Sequence, residues 1–494
     1  MKYTSTRNTS ITAAPSMAVL NGIASDGGLF IFDEYPLAPS LNELCGMTTF
    51  ELYTEILSSL IFDIPKEKMA DLVSAAYTDK FETGDLTPLV KVGDDYVLEL
   101  FRGPTSAFKD VALSILPHLV TTCARMNGVE DDIHILTATS GDTGKAAMAG
   151  FADVEGTRIT VFFPKDGVST VQQAQMLTQE GKNVTVCSVK GNFDDAQTGV
   201  KEIFSKVQQD KLLAGKGVRL SSANSINIGR LAPQVVYYYK SYFDLVRAGT
   251  ITMGDKIDFV VPTGNFGDIL AGYIAKGMGL PVGTLVCASN KNDVLTEFIE
   301  TGRYNRNRTF YKTASPSMDI LVSSNLERLL YLMSGNDADK IAGYMSDLKT
   351  KGEYTVDNEL KTAIANEFYA CAACDETAFV TIKSVYEEKG YLLDTHTAVA
   401  MHACSEYKKN NPGHNLCVVL STASPYKFAA DVLFAITGKK ESDGFKAMRD
   451  LETLTNVPIP KNLSGLDTKP TLHSDSIEKE AMLDYVIDFS EKKI

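Results

Sequence analysis

From Val97 onward, short apolar runs recur along the chain, each followed by a small-residue loop and then by a stretch with helical spacing. Tyr96-Val97-Leu98-Glu99-Leu100-Phe101 is the first run, and Val111, Leu113, Ile115 and Leu116 begin the apolar helix after it. Ile133 to Leu136 precedes a small-residue helix over Lys145 to Phe151. Ile159 to Phe163 precedes a helix opening near Ser169, and Val184 to Cys187 one opening near Phe193. Ile257 to Val261 leads through Gly264-Asn265-Phe266-Gly267 to a helix over Asp268 to Lys276. Leu416 to Leu420 leads through Ser421-Thr422-Ala423-Ser424 to another. Runs this short, apolar on both faces and alternating with helices, predict α/β layers with mostly parallel strands. In such sheets ligands gather where loops leave the carboxyl ends of strands, and every glycine-rich or hydroxyl-rich loop here follows a strand.

The first 95 residues read differently, with a turn at Asp26-Gly27-Gly28 and a helical pattern from Thr48 to Leu60. The expected organisation is an N-terminal domain over 1–95, one α/β lobe over 96–252, a second over 253–440, and a tail over 441–494 that packs on the body. The boundary near Met253 rests on the polar stretch Arg247 to Asp255, and the tail on its polarity and on Pro458, Pro460 and Pro470.

Composition narrows the function classes. The chain has 494 residues, 44% hydrophobic and 22% charged, ordinary values for a globular protein large enough to bury several cores. A net charge of -14 without a basic block argues against a nucleic-acid surface. No apolar run reaches membrane-spanning length, and Met1 to Arg7 lacks the apolar core of a signal peptide. Eight scattered cysteines suit reduced thiols in a cytoplasm better than a disulfide framework.

Candidate chemistry centres on Gly103-Pro104-Thr105-Ser106-Ala107-Phe108-Lys109-Asp110. A lysine at the opening of a buried helix loses solvation, its pKa falls, and the neutral amine can form a Schiff base with an aldehyde. With 48 lysines and arginines in the chain, a lone lysine says little, so its company matters. Thr137 to Ala147 forms a loop with small residues and a helix start, suited to a carboxylate, although a capped turn alone would look the same. Within it Gly141-Asp142-Thr143-Gly144-Lys145 brushes against the P-loop pattern. It lacks the first glycine, where Thr139 stands, and the hydroxyl after the lysine, where Ala146 stands. Pro262-Thr263-Gly264-Asn265-Phe266-Gly267-Asp268 could hold a phosphate monoester on backbone amides. Ser421-Thr422-Ala423-Ser424-Pro425 offers a hydroxyl to a heteroaromatic nitrogen, or simply a helix cap. Aldehyde-reactive lysine, phosphate cradle and neutral hydroxyl together fit pyridoxal 5'-phosphate.

These segments resemble the threonine synthases, pyridoxal-phosphate enzymes of fold type II (tryptophan synthase β-like). The likeness runs through Tyr3-Thr4-Ser5-Thr6-Arg7, Ala24-Ser25-Asp26-Gly27-Gly28-Leu29-Phe30, Gly103 to Asp110, Ala138 to Gly144, Asn224-Ser225-Ile226-Asn227 with Arg230, and Gly264 to Asp268. The resemblance implies two α/β lobes with the active site between them, behind an N-terminal segment. It implies that Lys109 carries the cofactor and shuttles protons. Gly264, Asn265, Phe266, Gly267 and Asp268 would enclose the cofactor phosphate, and Thr422 would bond the pyridine nitrogen. Thr139, Ser140, Gly141, Asp142 and Thr143 would hold the substrate carboxylate, with Asp142 near the cofactor's ring oxygen. Asn224, Ser225, Asn227 and Arg230, with Lys145 as a further candidate, would receive the substrate phosphate.

The implied reaction converts O-phospho-L-homoserine and water to L-threonine and phosphate, in a monomer or homodimer that holds no metal. Asn8, Ile228-Gly229, Ser424 and Tyr426 depart from the family's usual residues and bear on substrate geometry more than on the cofactor. The rivals are a related phospho-lyase releasing 2-oxobutyrate, a serine or threonine dehydratase, and a silent binding protein on the same fold. Other features carry no function. Cys371 and Cys374 read as a helix-borne pair of buried thiols, and His396 and His402 lie six apart on one helix, not facing each other.

Overall fold

The computed structural model describes residues 2–139, 141–165 and 168–493. Two parallel sheets organise it. The larger has six strands in the order Phe368–Ala372, Val282–Ser289, Ile257–Pro262, Leu416–Ser421, Asp95–Glu99 and Leu89–Val92, and only the last pair is antiparallel. The smaller has five parallel strands in the order Ser476–Ile477, Val184–Val189, Thr157–Pro164, Asp132–Ala138 and Val218–Ser221. The mixed α/β architecture is therefore the expected one, and strands such as Ile257–Pro262, apolar but for Asp258, are buried on both faces.

The sheets do not follow the linear division of the chain. Asp95–Glu99 was expected to open the 96–252 lobe. It instead inserts into the larger sheet, parallel to Leu416–Ser421 and antiparallel to Leu89–Val92. The chain then crosses to the smaller sheet through the helix Lys109–Met126. The tail is more built-in than its polarity implied. Ser476–Ile477 adds an edge strand, and the helix Met482–Glu491 buries Met482, Val486 and Phe489. Asn462 reaches back to accept from the Ser106 hydroxyl at 2.9 Å and to donate to the Gly103 carbonyl at 3.0 Å.

Two helices buried nearly all round, Lys109–Met126 and Ile228–Arg247, run through the core. Each still carries a polar stripe at helical spacing, Ser114, His118, Thr121 and Arg125 on the first and Arg230, Gln234, Ser241 and Asp244 on the second. The N-terminal region forms a three-stranded antiparallel sheet of Asn8–Ala13, Tyr3–Ser5 and Phe30–Phe32, with the predicted helix at Thr49–Leu60. It is fastened to the body where Arg7 donates twice to Glu327, both at 2.8 Å. Among the described residues no helix is long and apolar enough to cross a membrane.

Candidate active site

Five loops leave the carboxyl ends of neighbouring strands. Three follow Asp95–Glu99, Leu416–Ser421 and Ile257–Pro262, adjacent in the larger sheet. Two follow Asp132–Ala138 and Val218–Ser221, adjacent in the smaller. The loop before Lys109 is laid along the end of Leu416–Ser421. Leu100 donates its amide to the Ser421 carbonyl, Phe108 to that of Thr422, and Ser424 to that of Ser106, at 3.0, 2.8 and 3.1 Å. Ser106 sits at φ +60°, a strained position for a serine, held by these bonds and by Asn462. The Asp110 carboxylate closes the turn by accepting from the Thr105 amide and hydroxyl.

This clamp leaves Lys109 as the first residue of its helix, 9% exposed, with its ammonium over the Phe108 ring. Its Nζ donates to Ser317 Oγ at 3.4 Å and stands 3.8 Å from Asp142 Oδ2. Burial pushes its pKa down to about 8. Asp142 pulls it up, Lys427 and Arg230 push it further down, and Asp110 pulls it up again. The lysine expected to be desolvated is desolvated.

The Gly264–Asp268 turn is built to leave amides free. Phe266 takes the left-handed conformation at φ +61° and starts the helix Gly267–Gly277. The amides of Asn265, Phe266, Gly267 and Asp268 donate to no protein group among the described residues. Gly264 is required by space, since a Cβ there would lie 2.6 Å from the Ser317 carbonyl oxygen. Four free amides at a helix N-terminus make an anion cradle. Asp268 brings its amide rather than its charge. Its Oδ1 accepts from the Tyr237 and Tyr238 hydroxyls, Oδ2 is buried without a partner, and burial pushes the carboxyl up to about 6.

In the loop of the smaller sheet, Thr139 Oγ1 accepts from the amides of Gly141 and Gly144 at 3.0 and 2.9 Å. Thr139 thus shapes the loop and uses up two of its amides. Those of Asp142 and Thr143 have no partner among the described residues. Ser140 lies outside the described residues. Gly141, at φ +146°, admits Gln172, whose Nε2 donates to Asp142 Oδ1 at 2.7 Å.

The candidate substrate-phosphate residues divide. Arg230 is 5% exposed; its Nη1 donates to the Ala223 carbonyl at 2.8 Å, and its Nε is buried without a partner. Burial pushes its pKa down to about 10, and no carboxylate pairs with it among the described residues. Asn224 is exposed, and its Oδ1 accepts from the half-buried Ser225. Asn227 was expected to face substrate, yet its side chain is engaged elsewhere. Its Oδ1 caps the helix Ile228–Arg247 through the Gly229 amide, and its Nδ2 donates to the Val19 carbonyl. Lys145 donates to Gln179, and burial pushes it down to about 7.

Comparison with known proteins accounts for this set. Residues 86–422 match the profile of the pyridoxal-phosphate dependent enzymes. Residues 2–77 match that of the threonine synthase N terminus, and 397–483 the threonine synthase C-terminal profile. Threonine synthase of Methylobacillus glycogenes is 36% identical over 485 residues, covering 95% of this chain and 96% of that protein. The chain belongs to the threonine synthase family. Threonine synthase of Saccharomyces cerevisiae is 38% identical, covering 88% of this chain and 89% of that protein. Threonine synthase-like 1 of Homo sapiens is 39% identical over 439 residues, and the chain spans 58% of that longer relative. The crystal structure of pyridoxal-phosphate-bound threonine synthase from Brucella melitensis superposes with a TM-score of 0.88 at 36% identity over 100% of both chains. The yeast threonine synthase structure gives 0.87 at 34%, over 99% of this chain and 98% of that one.

The residues present fit the threonine synthase cofactor. A buried lysine of lowered pKa reaches Ser317, and four unpaired amides stand ready for a phosphate in a turn where a Cβ would collide with the carbonyl of that same serine. Thr422 is buried with its hydroxyl unpartnered among the described residues.

Several residues of this site escaped the sequence reading. Lys427, in the short 3₁₀ turn Pro425–Phe428, is fully buried, with Nζ 2.6 Å from Asp142 Oδ1 and donating to the Thr105 carbonyl at 3.0 Å. His396 was set aside, yet its Nε2 accepts from the Ser317 amide, and its Nδ1 meets Asp394 at 2.9 Å. Arg328, fully buried, donates to the Phe30 carbonyl, the Ile226 carbonyl and Asn325 Oδ1. Asn325 in turn donates to the carbonyls of Ser225 and Asn265, so one arginine couples the N-terminal sheet to two site loops. Replacing Arg328 by leucine strands three buried acceptors. The expected loss is on the order of 3 kcal/mol, read as a lower denaturant midpoint at unchanged slope.

The cysteine pair needs correction. Cys371 lies on the strand Phe368–Ala372 and Cys374 caps the next helix, and both are only half-buried. A buried trio of Asp95, Cys404 and Cys417 brings ligand-type atoms within 4.8 Å, but Lys408 already compensates Asp95.

Proposed function

We propose that this protein converts O-phospho-L-homoserine and water to L-threonine and phosphate. The observation that carries the reading is Arg230: a buried guanidinium with a free Nε, close enough to Lys109 to lower its pKa. It supplies a second anion site beside the amide cradle of 265–268. A dehydratase acting on serine or threonine has one phosphate to hold, that of its cofactor, whereas a phosphorylated substrate brings another.

Pyridoxal phosphate, when bound, supplies an electron sink conjugated to the substrate's amino group, which acidifies the Cα and Cβ protons. The free amides of Asp142 and Thr143 hold the substrate carboxylate. Lys109 takes the Cα proton and, in a later step, the Cβ proton, and returns two, one at Cγ and one at Cα. A lysine near 8 can both accept and donate close to neutral pH. Arg230 holds the γ-phosphate and stabilises it as it departs with the bonding electrons, after loss of a Cβ proton. One water then adds its hydroxyl at Cβ and its proton passes to the released phosphate, so the sum is substrate plus water giving threonine plus phosphate. Thr422 would meet the ring nitrogen with a neutral hydroxyl, which would not force its protonation.

The test is product analysis with O-phospho-L-homoserine as substrate. Threonine and phosphate in equal amounts are expected. Phosphate with 2-oxobutyrate and ammonia, and no threonine, would instead assign the phospho-lyase reaction. The eight free thiols support a cytoplasmic location, and the protein acts as a monomer or a homodimer.

A further inference from the structure

Three charged groups share the space beside the lysine helix start. Asp142 lies between two ammonium groups, with Oδ1 2.6 Å from Lys427 Nζ and Oδ2 3.8 Å from Lys109 Nζ. Lys427 is wholly buried, and its remaining polar contact is the Thr105 carbonyl in the clamp that positions Lys109. Its turn is fixed from both sides: Ser424 donates its amide to Ser106 and caps the Tyr426 amide, and Lys427 donates its own amide to the Ser424 carbonyl. Nothing in the reaction proposed above uses this lysine. A buried ammonium is costly to hold, so a permanent one in a catalytic cleft calls for a reason.

We infer that Lys427 is a positioning residue for Lys109: it takes Asp142 as its own counter-ion, so that Lys109 is not fixed as the protonated half of an ion pair. The inference rests on the reading of Lys109 as the proton carrier. The shorter contact and the hydrogen bond from Gln172 turn the carboxylate towards Lys427. Burial would raise the Asp142 carboxyl, but Lys427 first and Lys109 second hold it well below the usual carboxylate range. Asp142 therefore stays charged throughout, and what Lys427 controls is which ammonium it belongs to.

The groups facing Lys109 set the sign of every expected change. Asp110 on its own helix, Asp142 on the helix Asp142–Phe151 and Asp268 on the helix Gly267–Gly277 are acidic. Arg230 on the helix Ile228–Arg247 and Lys427 are basic, and Ser317 accepts its hydrogen bond. Removing Lys427 leaves Asp142 with Lys109 as its nearest cation, which favours the ammonium. Removing the Asp142 charge favours the free amine.

The experiment measures Lys109 itself, without turnover. The full-length chain freed of cofactor is acetylated competitively with acetic anhydride between pH 6 and 11, and labelling of the Lys109 peptide is followed by mass spectrometry. The expected midpoint is near 8 for the native chain. It should rise by about one unit in Lys427→Met, a tenfold smaller amine fraction at pH 7, and return near the native value in Lys427→Arg. It should fall in Asp142→Asn. A Lys427→Met protein with native circular dichroism and an unmoved or lowered midpoint would overturn the inference. If that variant does not fold, Asp142→Asn decides alone, because an unchanged or raised midpoint there is equally fatal. Midpoints that move as stated in a protein that makes no threonine would leave this inference standing and remove the reaction assignment.

Discussion

Lys109→Met is expected to lower turnover by at least about a thousandfold, because one amine is asked both to bind the cofactor aldehyde and to carry the protons. The same substitution makes the cofactor-free protein more stable at neutral pH. The lysine's pKa falls from 10.5 to about 8 on folding, so the folded chain binds fewer protons than the unfolded one between those values, and stability rises with pH across that window. Below pH 8 the penalty of holding the ammonium is fully present, roughly 3 kcal/mol for a fall of this size. Above pH 10.5 it is gone. Methionine keeps the apolar stem and removes the charge, so melting temperatures of variant and native protein should differ most at pH 7 and converge towards pH 10.5. A variant that loses activity because it unfolds would show the opposite order.

The second large effect is expected at Arg230. Arg230→Met removes the charge-assisted bonds available to a substrate phosphate, and kcat/KM for O-phospho-L-homoserine should fall by about a hundredfold to a thousandfold. In the empty protein the guanidinium has one carbonyl partner and a buried, unpaired Nε, and burial depresses it from 12.5 to about 10. Removing so poorly compensated a charge should stabilise the cofactor-free chain by roughly 2 kcal/mol, after loss of the Ala223 bond. Raised stability with lowered kcat/KM is the signature of a group held at a cost for binding. Steady-state kinetics unchanged in Arg230→Met would move the substrate phosphate to another cation, with Lys145 the next to test.

Much of this site could be read from the chain because its parts are local. A strand, a small-residue loop and a helix start lie within about ten residues at Lys109, Asp142 and Gly264, and the physics of a helix N-terminus is written in that order. What could not be read is long-range. Lys427 meets Asp142 across 285 positions of sequence, and in Ser424-Pro425-Tyr426-Lys427-Phe428 it looks like any lysine after a helix cap. Arg328 looks like a helix arginine until its partners at Phe30 and Ile226 are known. The strand Asp95–Glu99 carries no mark of which sheet it joins, because register is decided by neighbours far away in sequence. Asn227 shows the reverse error. A polar residue beside a candidate arginine invites a substrate role, whereas its position one before a helix already predicts a cap.

The most direct measurement is to add pyridoxal phosphate to the cofactor-free chain, reduce with sodium borohydride and map the modified peptide by mass. Lys109, Lys145 and Lys427 compete for the label, and Lys145 is pushed even lower than Lys109 by loss of solvation. The expected result is one cofactor per chain, attached at Lys109, with the yield collapsing when Gly264→Val fills the amide cradle. A label on Lys145 or Lys427, or one at Lys109 that is indifferent to the cradle, would contradict the account.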